Sequence, residues 1–531
     1  MEYKYGGSLT NQKTVLGHPA GLFVLFFTEM WERFSYYGMR ALLVLFLVSS
    51  ITDEGWGWER ADALFLYGIY TGLVYVTPIF GGLIADKLTG YRNAIVIGAL
   101  LMTLGHASMA LEGLTQNFFY LGLLLLIVGN GLFKPNISSI VGQLYKSQGK
   151  EKDAGYTIFY MGINAGAFLG ILLCGYIGES DAWGWHYGFG LAGIFMFFGM
   201  LQFYYAQKIF GKIGLSPKGS VDFIDEVGDE VEKIEEDVED VIEDAQSSKV
   251  TADRLMVISI FAFFTIFFWW AFEQAGGSMT IFAADYTDRV LEGAGGNTFK
   301  IVNTILVVVP MLIITYVLGM LFKQTYSKFA LSNILLGTSF LIIWVIVIYM
   351  LTQQFTDDAP EVPASWFGIL NSFFIIAFAP LFSKIWQSKF NPSGPVKFAI
   401  GLILLGLGFG ILAYGSMGIP LGAKTASVSM IFLILAYLFH TLGELCVSPV
   451  GLSYVSKLAP VKLVGLMFGI WFVANFIANF LAGVTGSYLD PIVEEYGMST
   501  FFLIFTAIPL GAGVIMIAIN KWMIKKMHGI R

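Results

Sequence analysis

Long apolar blocks, separated by short polar and charged runs, repeat from one end of the chain to the other. Many exceed the roughly 18 apolar residues that mark a membrane-crossing helix. None shows the short alternating segments of a membrane barrel. The pattern predicts about fourteen spanning helices. Their cores lie near 20–49, 61–88, 93–112, 117–140, 154–178, 186–208, 254–284, 299–323, 331–352, 365–387, 396–416, 427–458, 463–488 and 498–525. A polar stretch after the sixth block suggests a division into residues 1–208, a six-helix bundle, residues 209–253, an acidic connector, and residues 254–531. The last part reads as a second six-helix bundle with two helices inserted at about 299–352. The expected class is an all-α polytopic membrane protein.

Composition agrees. Of 531 residues, 56% are hydrophobic and 13% charged, where a soluble domain carries about 25% charged residues. The net charge of −7 is misleading. Residues 222–244 hold 13 of the 38 acids and one of the 31 bases, so the remainder has 25 acids against 30 bases. Val227, Val231, Ile234, Val238 and Ile242 recur at helical spacing within this stretch, which predicts an amphipathic cytoplasmic helix with a very acidic face. Residues 1–17 are polar and lack the apolar core of a cleaved signal peptide. Cys174 and Cys446 sit in apolar blocks and suggest packing, with no disulfide framework or metal site. No cofactor and no nucleic-acid partner is expected.

Basic residues gather on the cytoplasmic side of membrane proteins. With the amino terminus inside, the inner connections hold Lys87, Arg92, Lys146, Lys150, Lys152, Lys208, Lys212, Lys218, Lys323, Lys328, Lys384, Lys389, Lys457 and Lys462. Lys521, Lys525, Lys526 and Arg531 follow the last block. The outer connections are acidic, with Arg60, Arg289 and Lys424 as exceptions, and Asp285, Asp288, Asp357 and Asp358 read as solvated loop charges. The alternation never breaks, so both termini are expected in the cytoplasm, and the chain in the plasma membrane, a bacterial inner membrane.

Charges inside a spanning helix are costly and mark functional sites. Glu29, Glu32, Arg33, Tyr36, Tyr37 and Arg40 share a broad face of the first helix by their spacing. Lys134, within Gly129-Asn-Gly-Leu-Phe-Lys-Pro-Asn136, is a deep ammonium whose natural partner is Glu29 or Glu32. Such a pair can switch with a proton. Glu273 and Glu444 are lone acids of the second half, suited to an amine; His106 and His440 read as core histidines. A zwitterion would set its carboxylate toward Arg33, Arg40 or Lys134 and its amine toward Glu273 or Glu444. Binding near the midplane between two halves is the geometry of alternating access.

Glu29-Met-Trp-Glu-Arg-Phe-Ser-Tyr-Tyr-Gly38 resembles the first-helix signature of the proton-dependent oligopeptide transporters, a branch of the major facilitator superfamily. Phe159-Tyr-Met-Gly-Ile-Asn-Ala-Gly166 is similar to the fifth-helix signature. Gly82-Leu-Ile-Ala-Asp-Lys-Leu-Thr-Gly90 resembles the superfamily motif between helices two and three. Phe272-Glu-Gln274 and the Gly443-Glu…Ser-Pro449 run are similar to helices seven and ten of that family. The resemblance covers nearly the whole chain. It implies the major facilitator fold and proton-coupled import of di- and tripeptides across the bilayer. It assigns proton coupling to Glu29, Glu32, Arg33 and Lys134, with Glu273 beside them, and peptide binding to Arg33, Tyr36, Tyr37, Arg40, Tyr75, Lys134 and Asn164. From the second half it adds Glu273, Asn371, Glu444, Ser448 and Trp471. Some bacterial members carry two extra helices between helices six and seven. Here the extra pair follows the Glu273 helix, lacks buried charges, and reads as a peripheral or lipid-facing scaffold. Ser372 follows Asn371 where the family often has proline, and the second helix lacks the histidine of animal members.

Two other readings stay open. One is a relative that moves nitrate or another small solute such as a modified amino acid. The other is a membrane enzyme, which would need clustered metal-binding carboxylates or a nucleophile with its base. The Gly293-Ala-Gly-Gly296 run lacks the following Lys-Ser/Thr of a phosphate loop.

Overall fold

A computed structural model of the chain describes residues 13–145, 150–216, 248–460 and 463–530. The acidic stretch with its amphipathic pattern, and Lys146, Lys218, Lys462 and Arg531, lie outside the described residues. Among the described residues, twelve stretches are long and apolar enough to cross a membrane. One of them, Arg60–Ala110, holds two helices. The first helix, Ala20–Val48, carries Glu29, Glu32, Arg33 and Arg40 and is a further long one. The long helices are α1 Ala20–Val48, α2 Arg60–Ile84, α3 Gly90–Ala110, α4 Gln116–Gln143, α5 Lys150–Gly178, α6 Trp185–Ala206 and α7 Ser248–Phe272. They continue as α8 Gly293–Thr325, α9 Ala330–Thr356, α10 Ile369–Gln387, α11 Gly394–Gly415, α12 Ile431–Leu458, α13 Val464–Gly486 and α14 Met498–Lys526. The all-α polytopic expectation holds, and each predicted block has its helix.

These residues pack as two compact units. The first comprises Met1–Gly57, Thr77–Pro217 and Arg289–Ser372; the second comprises Trp58–Val76, Lys218–Asp288 and Phe373–Arg531. The boundary inside α2 falls two residues before Pro78, a position that cannot donate to the carbonyl one turn back.

In the first unit α1 is buried over nearly its whole length, packed on α5 and α6. Gly162, Gly166 and Gly170 of α5 recur every four residues against Phe26, Met30 and Phe34 of α1, and a Cβ on any of them would strike the α1 backbone. Small residues at this spacing let two membrane helices approach to backbone contact. On the opposite side Trp31 stacks on Phe195 of α6, ring centroids 4.8 Å apart.

Helices α8 and α9 form a hairpin of this same unit. Phe340 packs edge-on against Phe27, and the Ser332 hydroxyl donates to the Gln202 carbonyl at 2.8 Å. Polar bonds join the hairpin along its length. Lys300 Nζ donates to the Asp357 carbonyl at 2.5 Å, Asn303 Nδ2 to Gln354 Oε1 at 2.8 Å, and Trp344 Nε1 to Thr315 Oγ1 at 3.0 Å. Lys300 is buried, which corrects the expectation that the pair lacks buried charge. The ammonium is held by a backbone oxygen at the helix end. Ile301, Ile305, Leu312 and Tyr316 of α8 are exposed apolar residues. At its base Leu291 N–H donates to the Pro360 carbonyl and Val362 N–H to that of Arg289, both at 3.0 Å. Arg289 adds an ion pair to Glu361 at 2.6 Å.

In the second unit α7 does not run straight through. After Phe272 the chain tightens to a 3-10 turn, Glu273–Gly276, then resumes as Ser278–Ile281 and a wide turn, Phe282–Tyr286. A break within a membrane frees backbone groups that must find partners. Side chains supply them: Tyr437 and Thr280 hydroxyls both donate to the Ala275 carbonyl, at 3.1 and 3.0 Å. Gln274 donates to the Ala482 carbonyl at 2.9 Å and accepts from Ser278 at 2.5 Å.

Candidate functional site

The first-helix signature folds into one buried ion cluster. The seven-residue reach from Glu29 to Tyr36 is two helical turns, so Glu29, Glu32, Arg33 and Tyr36 fall on neighbouring rows of α1. Arg33 Nε lies 2.7 Å from Glu29 Oε1 and 2.8 Å from Glu32 Oε2. Their side chains are 4%, 2% and 0% exposed, which puts all three charges outside water's reach. Asn130 of α4 donates from Nδ2 to Glu32 Oε1 at 2.8 Å. Glu29 Oε2 has no hydrogen-bond partner among the described residues. Lys134, one turn beyond Asn130 on α4 and half-buried, lies within electrostatic range of Glu32. The Gly166 approach described above places α5 against Met30 and Arg33, so the same glycine that brings the helices together closes one wall of the cluster.

Two carboxylates face one guanidinium, with one ammonium in range. The set is neutral when both acids are ionised and both bases charged. Adding a proton to either carboxylate leaves one cation in surplus, and a ligand carboxylate can then neutralise it. This is the charge logic of a coupled site.

Beyond this centre, Tyr36 and Tyr37 meet edge to face, with the Arg33 guanidinium over the first ring at 6.0 Å and Arg40 over the second at 5.9 Å. Cations at this distance from a ring are attracted by its π face. Asn164 is buried on α5 and donates to its own helix at Tyr160. Asn371 belongs to the first unit and is half-buried.

The second unit gathers the rest. Glu273 sits at the break of α7, 2% exposed, and accepts a hydrogen bond from the Tyr67 hydroxyl of α2 at 3.4 Å. A helix break places a charged side chain beside unwound backbone, as in other membrane sites built on discontinuous helices. Tyr75 of α2, and Glu444 and Ser448 of α12, are half-buried; Trp471 of α13 is buried against Gly451. His106 and His440 are buried, and His440 lies 4.4 Å from the Phe409 ring.

Three groups escape the sequence reading. Asn130 is an uncharged member of a glycine-rich run, yet it bonds the central carboxylate. Tyr67 is an ordinary helix tyrosine until the fold sets it on Glu273. The third is a charge cluster on Arg60: Nη2 lies 2.6 Å from Asp285 and Nη1 3.0 Å from Asp490, with Tyr286 Oη at 3.2 Å. Asp285 is therefore an ion-pair partner and not a solvated loop charge; Asp288, Asp357 and Asp358 are exposed. The pairing also accounts for two exceptions to the charge rule, since Arg60 and Arg289 each pair with acids of other connections.

Burial pushes the Glu179 carboxyl up from its ordinary value, against the lowering effects of Ser365, Ala364 and Arg289. Glu179, just past α5, accepts from the Ala364 N–H at 2.7 Å and the Ser365 N–H at 3.0 Å, and so caps the start of the α10 segment.

The POT family model matches residues 92–227 and 338–501. The chain is 34% identical over 535 residues to the uncharacterized transporter YclF of Bacillus subtilis, covering 98% of this chain and 97% of that one. It is 32% identical over 542 residues to the di-/tripeptide transporter of Lactococcus lactis subsp. cremoris, covering 98% and 99%. A crystal structure of peptide transporter POT in complex with sulfate superimposes with a TM-score of 0.72 at 31% identity, covering 98% of both chains.

Proposed function

The chain belongs to the POT family, and from that premise we propose that it is a proton-coupled symporter importing di- and tripeptides by alternating access. The observation that carries the reading is the buried Glu29–Glu32–Arg33 set. Two carboxylates on one buried guanidinium exceed what an ion-pair lock needs, and one added proton changes the charge balance.

In this reading Glu29 and Glu32 are the proton-accepting groups, and Asn130 holds Glu32 in the orientation that pairs it with Arg33. The proton releases Arg33 or Lys134 to take the peptide carboxylate. Arg40, Tyr36, Tyr37, Tyr75, Asn164 and Asn371 position the peptide backbone. Glu273 and Glu444 take the amino group, with Ser448 and Trp471 beside them. Proton and anionic terminus enter together, because each removes the charge defect that the other would create. Residues 1–208 and 254–531 are the two transport halves, 209–253 is the cytoplasmic connector, and the helices at about 299–352 are inserted in the sequence of the second half but pack within the first unit. Both termini face the cytoplasm of a bacterial inner membrane, as the distribution of lysines and arginines supports.

The test is uptake of labelled dialanine into liposomes bearing the purified chain and an inward proton gradient. Accumulation that collapses with the gradient is expected. Uptake indifferent to the gradient refutes coupling; transport of nitrate in place of dialanine refutes the substrate.

A further inference from the structure

Away from the charged cluster, the first unit contains a cavity of about 830 Å3. It lies where α3, α5, α6 and α9 meet, lined by Leu111, Ile177, His186, Gly190, Ile194 and Val345 among others. Its size falls within the roughly 300–1,000 Å3 of small-molecule sites. Its lining runs along α6 from His186 to Ile194, a length of about 12 Å at 1.5 Å per residue. All of that length is apolar except one end.

The polar end is built. Glu112 is buried, with Oε1 3.0 Å from His186 Nδ1 and Oε2 accepting from Trp56 Nε1 at 2.8 Å. The carboxylate can only accept, so this end of the cavity offers acceptor oxygens. Trp183, Tyr187 and Tyr349 line the same cavity and are exposed, as aromatic residues are at a membrane–water interface. The deep end is lined by helices long enough to cross the membrane, so an apolar chain suits it.

Charge identifies the head of the occupant. Residues 41–59, 93–133, 153–207 and 330–360 contain no lysine or arginine. The charged groups at this end are acids: Glu54, which closely approaches Gly184 at the start of α6, Asp181, and Glu112 itself. An anionic head would meet only like charge. A head with N–H donors meets a carboxylate.

We propose that this cavity is a binding site for one zwitterionic phospholipid bearing a primary ammonium. The ammonium sits at the Glu112–His186 end and one acyl chain lies along α6 toward Ile194 and Val345. The lipid fills the seam where α9 meets α3 and α6. In the topology proposed above, its leaflet is the outer one; the site itself does not depend on that assignment.

The wild-type chain, purified in mild detergent, is mixed with phosphatidylethanolamine, phosphatidylcholine and phosphatidylglycerol of equal chain length and read by native mass spectrometry. One phosphatidylethanolamine should be retained over the other two by about tenfold, the worth of a hydrogen bond to a charged group. Glu112→Gln should erase that preference. Gly190→Trp should lose retention of all three, because a Cβ there meets only Ala110 Cβ at 3.7 Å and the ring has the cavity to enter. A photoreactive phosphatidylethanolamine in the wild-type chain gives a readout that needs no variant to fold. Label concentrated on the peptides around 183–194 and 345–349 supports the site. Even label over the lipid-facing residues Leu312 and Tyr316, meaning annular lipid only, overturns it. So does preference for the anionic lipid, or unchanged retention in a Gly190→Trp protein that still takes up dialanine.

Discussion

Arg33 and Arg60 are each held by two carboxylates, but the two clusters are built on opposite plans. Arg33 takes both partners from its own helix, four residues and one residue before it on α1, in a dry interior where each side chain is 4% exposed or less. Arg60 takes Asp285 and Asp490 from positions 225 and 430 residues away, in side chains 16–36% exposed. The first arrangement is costly to build, because three charges are held away from water. The second is a wet tie whose strength is spread over a tyrosine and a backbone carbonyl as well. Arginine between two acids is thus not one device: in the reading proposed above the buried set takes up a proton, whereas the wet one joins distant segments.

The largest effect that separates them is functional. Glu32→Gln should abolish gradient-driven dialanine uptake while exchange between equal internal and external pools persists; equal loss of both would reduce the Arg33 cluster to a structural lock. Next comes stability. Arg33→Ala strands two buried carboxylates and should cost about 3–5 kcal/mol, read as a fall in the unfolding midpoint in detergent. Arg60→Ala should cost about 1 kcal/mol or less, as partly exposed pairs do, and only this smaller loss should shrink as salt is raised, since buried pairs are screened far less. A similar cost for the two variants would erase the distinction. The smallest effect is at Glu179. Its folded value is raised, so the folded protein holds that proton to higher pH than the unfolded chain does. The contribution is fully present below the unfolded value of about 4.3 and is lost as pH rises through the folded one. The wild-type thermal midpoint should therefore fall more steeply than that of Glu179→Gln as pH is raised from about 4; parallel curves would show that Glu179 titrates as it does in water.

The same contrast explains what could be read before the fold was known. The Arg33 cluster was legible because its members lie within two turns of one helix, and ionisable residues stand out in an apolar block. The fourteen helices were legible for the same reason: hydrocarbon thickness sets their length. Arg60 looked like a misplaced base and Asp285 like a loop acid, because nothing local joins residues so far apart. Asn130 carries no charge and gave no signal of its own. The break at Glu273 had a sequence cue, Gly276-Gly277 within a long apolar block, but a glycine pair also suits close packing, and only the partners of Ala275 and Gln274 decide between the two. Lys300 lay at the edge of its block and looked like a boundary residue; its acceptor is a main-chain oxygen, which no side-chain pattern announces.

The hydrogen-bonded base of the α8–α9 hairpin has one more consequence. Residues 289–291 and 360–362 lie side by side as paired backbone, so everything between them leaves and returns at one point. A two-helix segment with adjoining ends can be removed, exchanged or replaced by a short turn without reversing the membrane orientation of any helix that follows. For protein engineering this is a ready splice point: a rigid soluble partner or a reporter can be grafted there, with the four-residue loop between α8 and α9, 326–329, as a second port on the opposite face.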